Sequence, residues 1–187
     1  MEFEGEVLET LENTKLLGTI ISNDLTWNKN TESIVKKANM RMEILRKISP
    51  FGASLDEMKN IYILYVRSLL EQSCTVWHSG LTAENAQDLE RIQKTALKII
   101  LQDKYISYEK ALNVLNLESL EERREFLCLE FAKKCLKSDK MKTNFTVNSK
   151  IHPMMTRNQE KFDIDFARTG RLQDSPIIYM QRLLNGL

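Results

Sequence analysis

The sequence predicts a mainly α fold, in which a helical bundle is preceded by a short β-hairpin and followed by a loosely packed tail with a short strand and a terminal helix. Two observations predict this class. The 187 residues include only 6 glycines and 3 prolines, too few for the many turns of an all-β domain. Apolar residues also recur at steps of three and four over long stretches, the period of one helix face. We divide the chain into a hairpin (1–27), a helical domain (28–137) and a tail (138–187).

The hairpin is predicted from two apolar clusters, each built around a glycine. Gly5 lies in the first cluster and Gly18 in the second, and strand propensity ends at the turn signal Asn23-Asp24. The apolar residues of the two clusters are Phe3, Val7, Leu8, Leu11, Leu16, Leu17, Ile20 and Ile21. We therefore expect strands on both sides of these glycines.

The first helix is predicted from Ser33 to the region of Ser49-Pro50. Its apolar residues fall on one face and are Ile34, Ala38, Met42, Leu45 and Ile48. Proline disfavours helix in the residue before it, and Gly52 permits the chain to reverse.

The second helix starts at a capping box, Ser54 with Glu57. Its residues from Met58 to Leu70 are apolar on nearly every face, which predicts a buried helix at the centre of the bundle. Arg67 and Glu71 are one turn apart on its only polar strip, a spacing that favours a structural ion pair.

Three later helix starts are marked by hydroxyl residues that can act as N-caps. Thr82 opens a third helix, Ser107 a short fourth, and Ser119, in a capping box with Glu122, a fifth that runs to about Leu136. The apolar face of the third helix consists of Leu89, Ile92, Ala96, Ile99 and Ile100. After Ser138 the pattern loosens, and we expect a short strand over 161–166 and a last helix after Pro176.

The distribution of charge matters more than the total. The formal net charge is only +1, so bulk charge does not attract the chain to polyanions. Residues 29–47, however, include six basic and two acidic side chains. On the helical wheel, basic residues of the first and third helices lie opposite the apolar arc or flank it. These residues are Lys36, Lys37, Arg41, Arg91, Lys94 and Lys98.

The stripe on the third helix, Arg91, Lys94 and Lys98, is the arrangement that can follow a phosphate backbone. The alternative is an ordinary solvated face, partly neutralised by a pair between Glu90 and Lys94. The sequence alone leaves both open.

No catalytic, cofactor or metal site is predicted. The three cysteines, Cys74, Cys128 and Cys135, form no CxxC motif, and we expect them to be free and partly buried. Asp163 and Asp165 could share one face of a strand, but the alternating apolar residues around them favour an ordinary half-buried strand over a cation site.

A membrane partner is not predicted, because no apolar run approaches the roughly 20 residues of a membrane span. The first 12 residues contain five glutamates and no basic residue, the reverse of a secretory signal. We therefore expect an intracellular protein, with cytoplasm and nucleus both open.

The order of short motifs is informative about origin. Along the chain these motifs are KLLGTII (15–21), DLTW (24–27), YVRSLLEQS (65–73), VWH (76–78), LERIQKTA (89–96), YEKAL (108–112) and LESLEERR (117–124), with weaker matches in FART (166–169) and MQRLLN (180–185). The series closely resembles the end of the reverse transcriptase of non-LTR (LINE-type) retrotransposons, of the Jockey kind. The resemblance covers nearly the whole chain.

This resemblance implies specific roles. Leu17 and Gly18 would lie in the strand pair called the primer grip, which positions the primer end. The helices from Ser33 to about Leu101 would correspond to the thumb, which holds the template-primer duplex by its backbone. An RNA:DNA or DNA duplex is then the expected partner. The six basic residues are our choice from the helical wheel and match no family motif.

One departure from the family is important. Its catalytic signature, an aromatic residue and alanine followed by two aspartates, precedes the primer grip and is not in this sequence. Those carboxylates bind the Mg²⁺ ions of the full-length parent enzyme. We therefore expect a non-catalytic, orphan C-terminal fragment whose hairpin presents an exposed apolar edge and favours self-association. The alternative is a helical protein-interaction module that binds no nucleic acid.

Overall fold

The computed structural model describes residues 2–3, 6–7, 11–148, 160–164 and 166–186. It is mainly α, as predicted, and begins with two short antiparallel strand pairs. The strands are β1 (Glu2–Phe3), β2 (Glu6–Val7), β3 (Asn13–Leu16) and β4 (Thr19–Ser22). The helices are α1 (Asn28–Ile48), α2 (Leu55–Ile61), α3 (Ser68–Glu71), α4 (Cys74–Trp77), α5 (Ala83–Leu101), α6 (Tyr108–Leu115), α7 (Leu120–Lys137), α8 (Gly170–Gln173) and α9 (Pro176–Leu184).

The predicted hairpin around Gly18 is β3 and β4, which pair from Asn13 with Ser22 to Leu16 with Thr19. Leu17 and Gly18 form the turn, and both have positive φ, 48° and 91°, as a tight hairpin turn requires. β4 is fixed to α1 because the Ile20 amide donates to Asn30 Oδ1 at 3.1 Å. β1 and β2 also pair, whereas Gly5 and Leu8 of the predicted first cluster lie outside the described residues.

Helix α1 ends where predicted but begins at Asn28, before the predicted Ser33. Its extra first turn buries Asn30 and Thr31, each only 2% exposed. Because these buried residues are polar, a search for apolar periodicity misses the turn. The predicted apolar face is buried from Ile34 to Leu45.

The predicted central helix is built from α2, a π-helical turn over Tyr62–Arg67, and α3. The prediction that nearly every face is buried is wrong, because Leu64 is 69% exposed and Tyr65 53% exposed. Only one side of this helix packs against α1 and α5. The core residues on that side are Met58, Tyr62, Val66, Leu69 and Leu70.

Helices α1 and α5 are neighbours that run in the same direction. Near their starts Asn85 Nδ2 donates to Asn28 Oδ1 at 2.7 Å. Just beyond their ends Gln102 Nε2 donates to Ser49 Oγ. Contacts at both ends can form only if the helices are parallel. In the chain, the α2–α3 segment connects them by running in the opposite direction.

The remaining helix starts agree with the sequence analysis. Thr82, Ser107 and Ser119 each accept a hydrogen bond from the backbone amide three residues later, so each caps its helix as predicted. The short helix α4 was not predicted, because four residues are too few to show a period. Trp77 in α4 is fully buried, and its Nε1 donates to the Gln72 carbonyl at 3.0 Å.

The tail corrects one prediction. Of the strand predicted over 161–166, residue 165 lies outside the described residues, and the others form only a single antiparallel bridge, between Phe162 and Val147. The Asn185 side chain explains the difference, since it accepts from the Phe162 amide at 2.8 Å and donates to the Phe162 carbonyl at 3.0 Å. Both backbone groups are therefore satisfied without a longer strand. The last helix, α9, begins at Pro176 as predicted.

None of the described helices is both long and apolar enough to span a bilayer. The three cysteines are free and buried, as predicted.

Candidate nucleic-acid interface

The six basic residues selected from the sequence are accessible to different degrees. Lys37 is half-buried. The exposed residues are Lys36, Arg41, Arg91, Lys94 and Lys98.

Arg91, Lys94 and Lys98 form a row along α5, which we call the α5 stripe. Lys94 Nζ lies 5.0 Å from the centre of the Tyr108 ring, and Lys98 Nζ lies 5.5 Å from that of Tyr105. Each distance permits a cation–π interaction, which positions an ammonium group while leaving it charged. The row spans about 10 Å along the helix, or about three base-pair steps of a duplex.

Arg91, the first residue of the stripe, pairs with Asp88 through a 2.7 Å contact. The Arg91 side chain is 71% exposed, and an exposed pair of this kind contributes little free energy. A phosphate oxygen can therefore compete with Asp88 for this guanidinium group.

The predicted pair between Glu90 and Lys94 is not formed. Glu90 Oε1 instead accepts from the Tyr108 hydroxyl and, at 3.2 Å, from the Leu120 amide. Burial, followed by the hydrogen bond to Glu90, raises the pKa of Tyr108 far above its usual range, so this hydroxyl stays protonated. Among the described residues, Lys94 Nζ has no carboxylate oxygen within 4 Å, so the carboxylate that pairs with the stripe is Asp88, at Arg91, and not Glu90.

Tyr108 is held in position by Gln93, which is fully buried. Gln93 Oε1 accepts from the Tyr62 hydroxyl. Gln93 Nε2 donates to the Tyr108 hydroxyl at 2.9 Å and to the Glu118 carbonyl at 2.8 Å. One amide therefore joins the central helix, α6 and the start of α7. In the sequence, this network is indicated only by a polar residue, Gln93, next to the apolar face that contains Ile92 and Ala96.

Two of the basic residues of α1, Lys37 and Arg41, lie apart from the α5 stripe. Arg41 Nη1 donates to the Tyr65 carbonyl in the π-helical turn at 2.8 Å. The α5-facing side of α1 is marked by Asn28, which contacts Asn85. On a helix of about 100° per residue, Lys37 and Arg41 lie on the flank opposite Asn28, whereas Lys36 lies about 80° from it. Lys37 and Arg41 therefore do not line one channel with the α5 stripe between α1 and α5.

The primer-grip-like pair lies at the tip of the β3–β4 hairpin. Leu17 is 88% exposed, and its carbonyl accepts from Gln72 Nε2 at 3.3 Å. A Cβ atom on Gly18 would lie 2.7 Å from the same nitrogen. The tip thus contacts the end of the central helix through Gln72, and the φ of +91° favours glycine at position 18.

Two other sequence predictions concern ion pairs and carboxylates. The pair between Arg67 and Glu71 is confirmed, with Arg67 Nε 3.0 Å from Glu71 Oε1. Arg123 Nε from α7 lies 3.2 Å from the same oxygen, which the sequence did not indicate.

Asp165, of the Asp163 and Asp165 pair, lies outside the described residues.

Arg124 on α7 is the most unusual basic residue that sequence reasoning missed. It is fully buried. The buried residues of α7 follow steps of three or four, namely Leu120, Arg124, Cys128, Ala132 and Cys135. An arginine in this apolar series was the signal that could have identified it.

Comparison of the chain with protein-family models, with curated proteins and with solved structures finds no match.

Proposed function

We propose that this chain is a thumb-type helical domain that binds the backbone of an RNA:DNA or DNA duplex without sequence specificity. The observation that carries the proposal is the α5 stripe, in which Arg91, Lys94 and Lys98 are exposed in one row. Tyrosine rings lie beneath two of these cations. In this role the chain carries out no chemical step and only binds the phosphate groups of a duplex.

Two further features support this proposal. The motifs from Lys15 to Arg124 resemble, in their order, the primer grip, the thumb and the following region of LINE-type reverse transcriptases. In addition, the hairpin tip at Leu17 and Gly18 contacts Gln72, at the end of the central helix of the helical domain. A tip in this place suits a role in positioning the end of a bound strand, and this role belongs to the proposal.

The proposal is tested by fluorescence anisotropy with a labelled RNA:DNA duplex between about 50 and 200 mM salt. Each phosphate contact contributes about 0.9 to the slope of log K against log salt, so the triple variant R91A/K94A/K98A should flatten the slope by about 2.7. The matched control is K133A/K134A/K137A on α7, which removes the same charge from another exposed group. Equal slopes for the two triple variants would reject the α5 stripe as the contact.

A second function, a helical protein-interaction module, is favoured by a different observation. Leu64 and Tyr65 are exposed on the central helix, and Leu11, Leu16 and Leu17 are 57%, 59% and 88% exposed in and beside the hairpin. Exposed apolar residues of this kind are typical of contact surfaces. This function predicts a dimer in light scattering that Leu17→Lys or Leu64→Lys dissociates, and no duplex binding at low salt. A monomer at all concentrations would argue against self-association.

A further inference from the structure

A groove of about 470 Å³ lies between the starts of α5 and α7. We call it the α5–α7 groove. It is lined by residues from the first three turns of α5, namely Ala83, Ala86, Gln87, Glu90, Arg91 and Lys94, and by Glu121 and Arg124 of α7. The backbone dipole of a helix favours negative charge near its N-terminus. The first turn of α5, at Ala83 and Ala86, therefore contributes positive potential at one end of the groove, whereas the Leu120 amide at the start of α7 already donates to Glu90.

The groove contains an arginine with unused donors. Arg124 is fully buried, and its Nη1 and Nη2 atoms have no hydrogen-bond acceptor among the described residues. Its Nε donates to His78 Nδ1 at 3.4 Å, and its guanidinium carbon lies 5.9 Å from the centre of the Trp77 ring. A buried guanidinium without acceptors on two nitrogens carries a large desolvation cost. An anionic ligand would relieve that cost.

The carboxylates beside Arg124 do not fill this role. Among the described residues, Arg124 has no carboxylate oxygen within 4 Å of its nitrogens. Glu90 is occupied by the Tyr108 hydroxyl and the Leu120 amide. Glu121 is exposed at the rim, where its charge also opposes an incoming anion. Burial lowers the pKa of Arg124, and the nearby charges of Glu90 and Glu121 act in the opposite direction.

We propose that the α5–α7 groove binds a single phosphate group, with Arg124 Nη1 and Nη2 as paired donors and Lys94 at the rim. A guanidinium group presents two parallel N–H bonds that match two phosphate oxygens. Because the two nitrogens are buried, a ligand reaches them only when side chains at the rim of the groove move. The phosphate is either free or part of a nucleic-acid backbone. In the second case the inference rests on the proposed function, because Arg91 and Lys94 belong to both the stripe and the groove.

The test uses the full chain and measures binding of inorganic phosphate by calorimetry, with chloride at the same ionic strength as reference. Glu121→Gln, which removes an exposed carboxylate from the rim, should tighten phosphate binding by about threefold to tenfold. Arg124→Gln should abolish it, and Arg124→Lys should weaken it because lysine lacks the paired donors. Circular dichroism shows whether the Arg124 variants fold. If they do not, the Glu121→Gln result decides the test.

The two sources of phosphate are separated by repeating the anisotropy assay with the same variants. Phosphate binding together with weaker duplex binding by Arg124→Lys indicates a backbone phosphate. Phosphate binding by a chain that binds no duplex supports the groove with free phosphate as ligand and overturns the proposed function. Duplex binding that depends on the α5 stripe, without any effect of phosphate or of Glu121→Gln, overturns the groove and leaves the proposed function intact.

Discussion

Replacing Gln93 with leucine is expected to destabilise the fold and to loosen the support of the α5 stripe. The substitution removes the acceptor of the Tyr62 hydroxyl, which is fully buried, and the donor to the Glu118 carbonyl. The Tyr108 hydroxyl keeps its bond to Glu90. Each buried polar group left without a partner costs about 1 to 3 kcal/mol, and the buried leucine offsets part of this. We expect the free energy of unfolding to fall by about 2 to 4 kcal/mol.

The assay is urea unfolding followed by circular dichroism, with Gln87→Leu as the control because Gln87 is exposed on the same helix. That control should change the free energy of unfolding by less than about 0.5 kcal/mol. The double variant Y62F/Q93L removes both partners of one bond, so it should lose about 1 to 2 kcal/mol less than the sum of the single variants. Strictly additive losses would show that Gln93 and Tyr62 are not coupled, and the network would be refuted.

Two further predictions concern the hairpin tip and the buried histidine. Gly18→Ala should lower the free energy of unfolding by about 1 to 2 kcal/mol, because φ is +91° and the new Cβ meets Gln72 Nε2. Gly52 has φ +77° and open space around it, so Gly52→Ala should lower the free energy of unfolding only by the cost of the strained backbone. Equal losses for the two variants in thermal unfolding would refute the role of Gln72. The pKa of His78 is lowered to about 4, first by burial and then by the charge of Arg124. Because the folded chain resists protonation of His78, stability should be complete above about pH 6.5 and fall as the pH drops toward 4. His78→Gln should flatten this loss in unfolding curves measured across the same range, and an unchanged profile would assign it to other groups.

The sequence was sufficient where structure is local. A capping box needs only a hydroxyl residue and a glutamate three positions later, and both predicted boxes, at Ser54 and Ser119, form in the structure. The end of α1 at Ile48 follows from Pro50 in the same way. The exposed row of Arg91, Lys94 and Lys98 was also predictable, because a helical wheel needs only residue spacing.

The sequence was insufficient where the result depends on distant residues. The Tyr108 ring under Lys94 and the burial of Arg124 depend on how α6 and α7 pack against α5. The strand expected over 161–166 failed because Asn185 satisfies Phe162 across the tail. Local patterns state which faces are apolar, but they do not state which neighbour covers each face. For that reason Leu64 and Tyr65 were expected inside and lie outside.

The π-helical turn over Tyr62–Arg67 has a consequence for insertions and deletions. Its hydrogen bonds are spaced wider than those of an α-helix, so each residue advances the spiral by less than the usual about 100°. This slower winding compensates for the four-residue steps from Met58 to Tyr62, Val66 and Leu70, and all four stay on the buried side. The turn thus absorbs one surplus residue. Deleting one residue from this turn would leave an ordinary α-helix whose residues before and after the deletion still face the core. Deleting one residue within α5 would instead rotate every later side chain of that helix away from its partners.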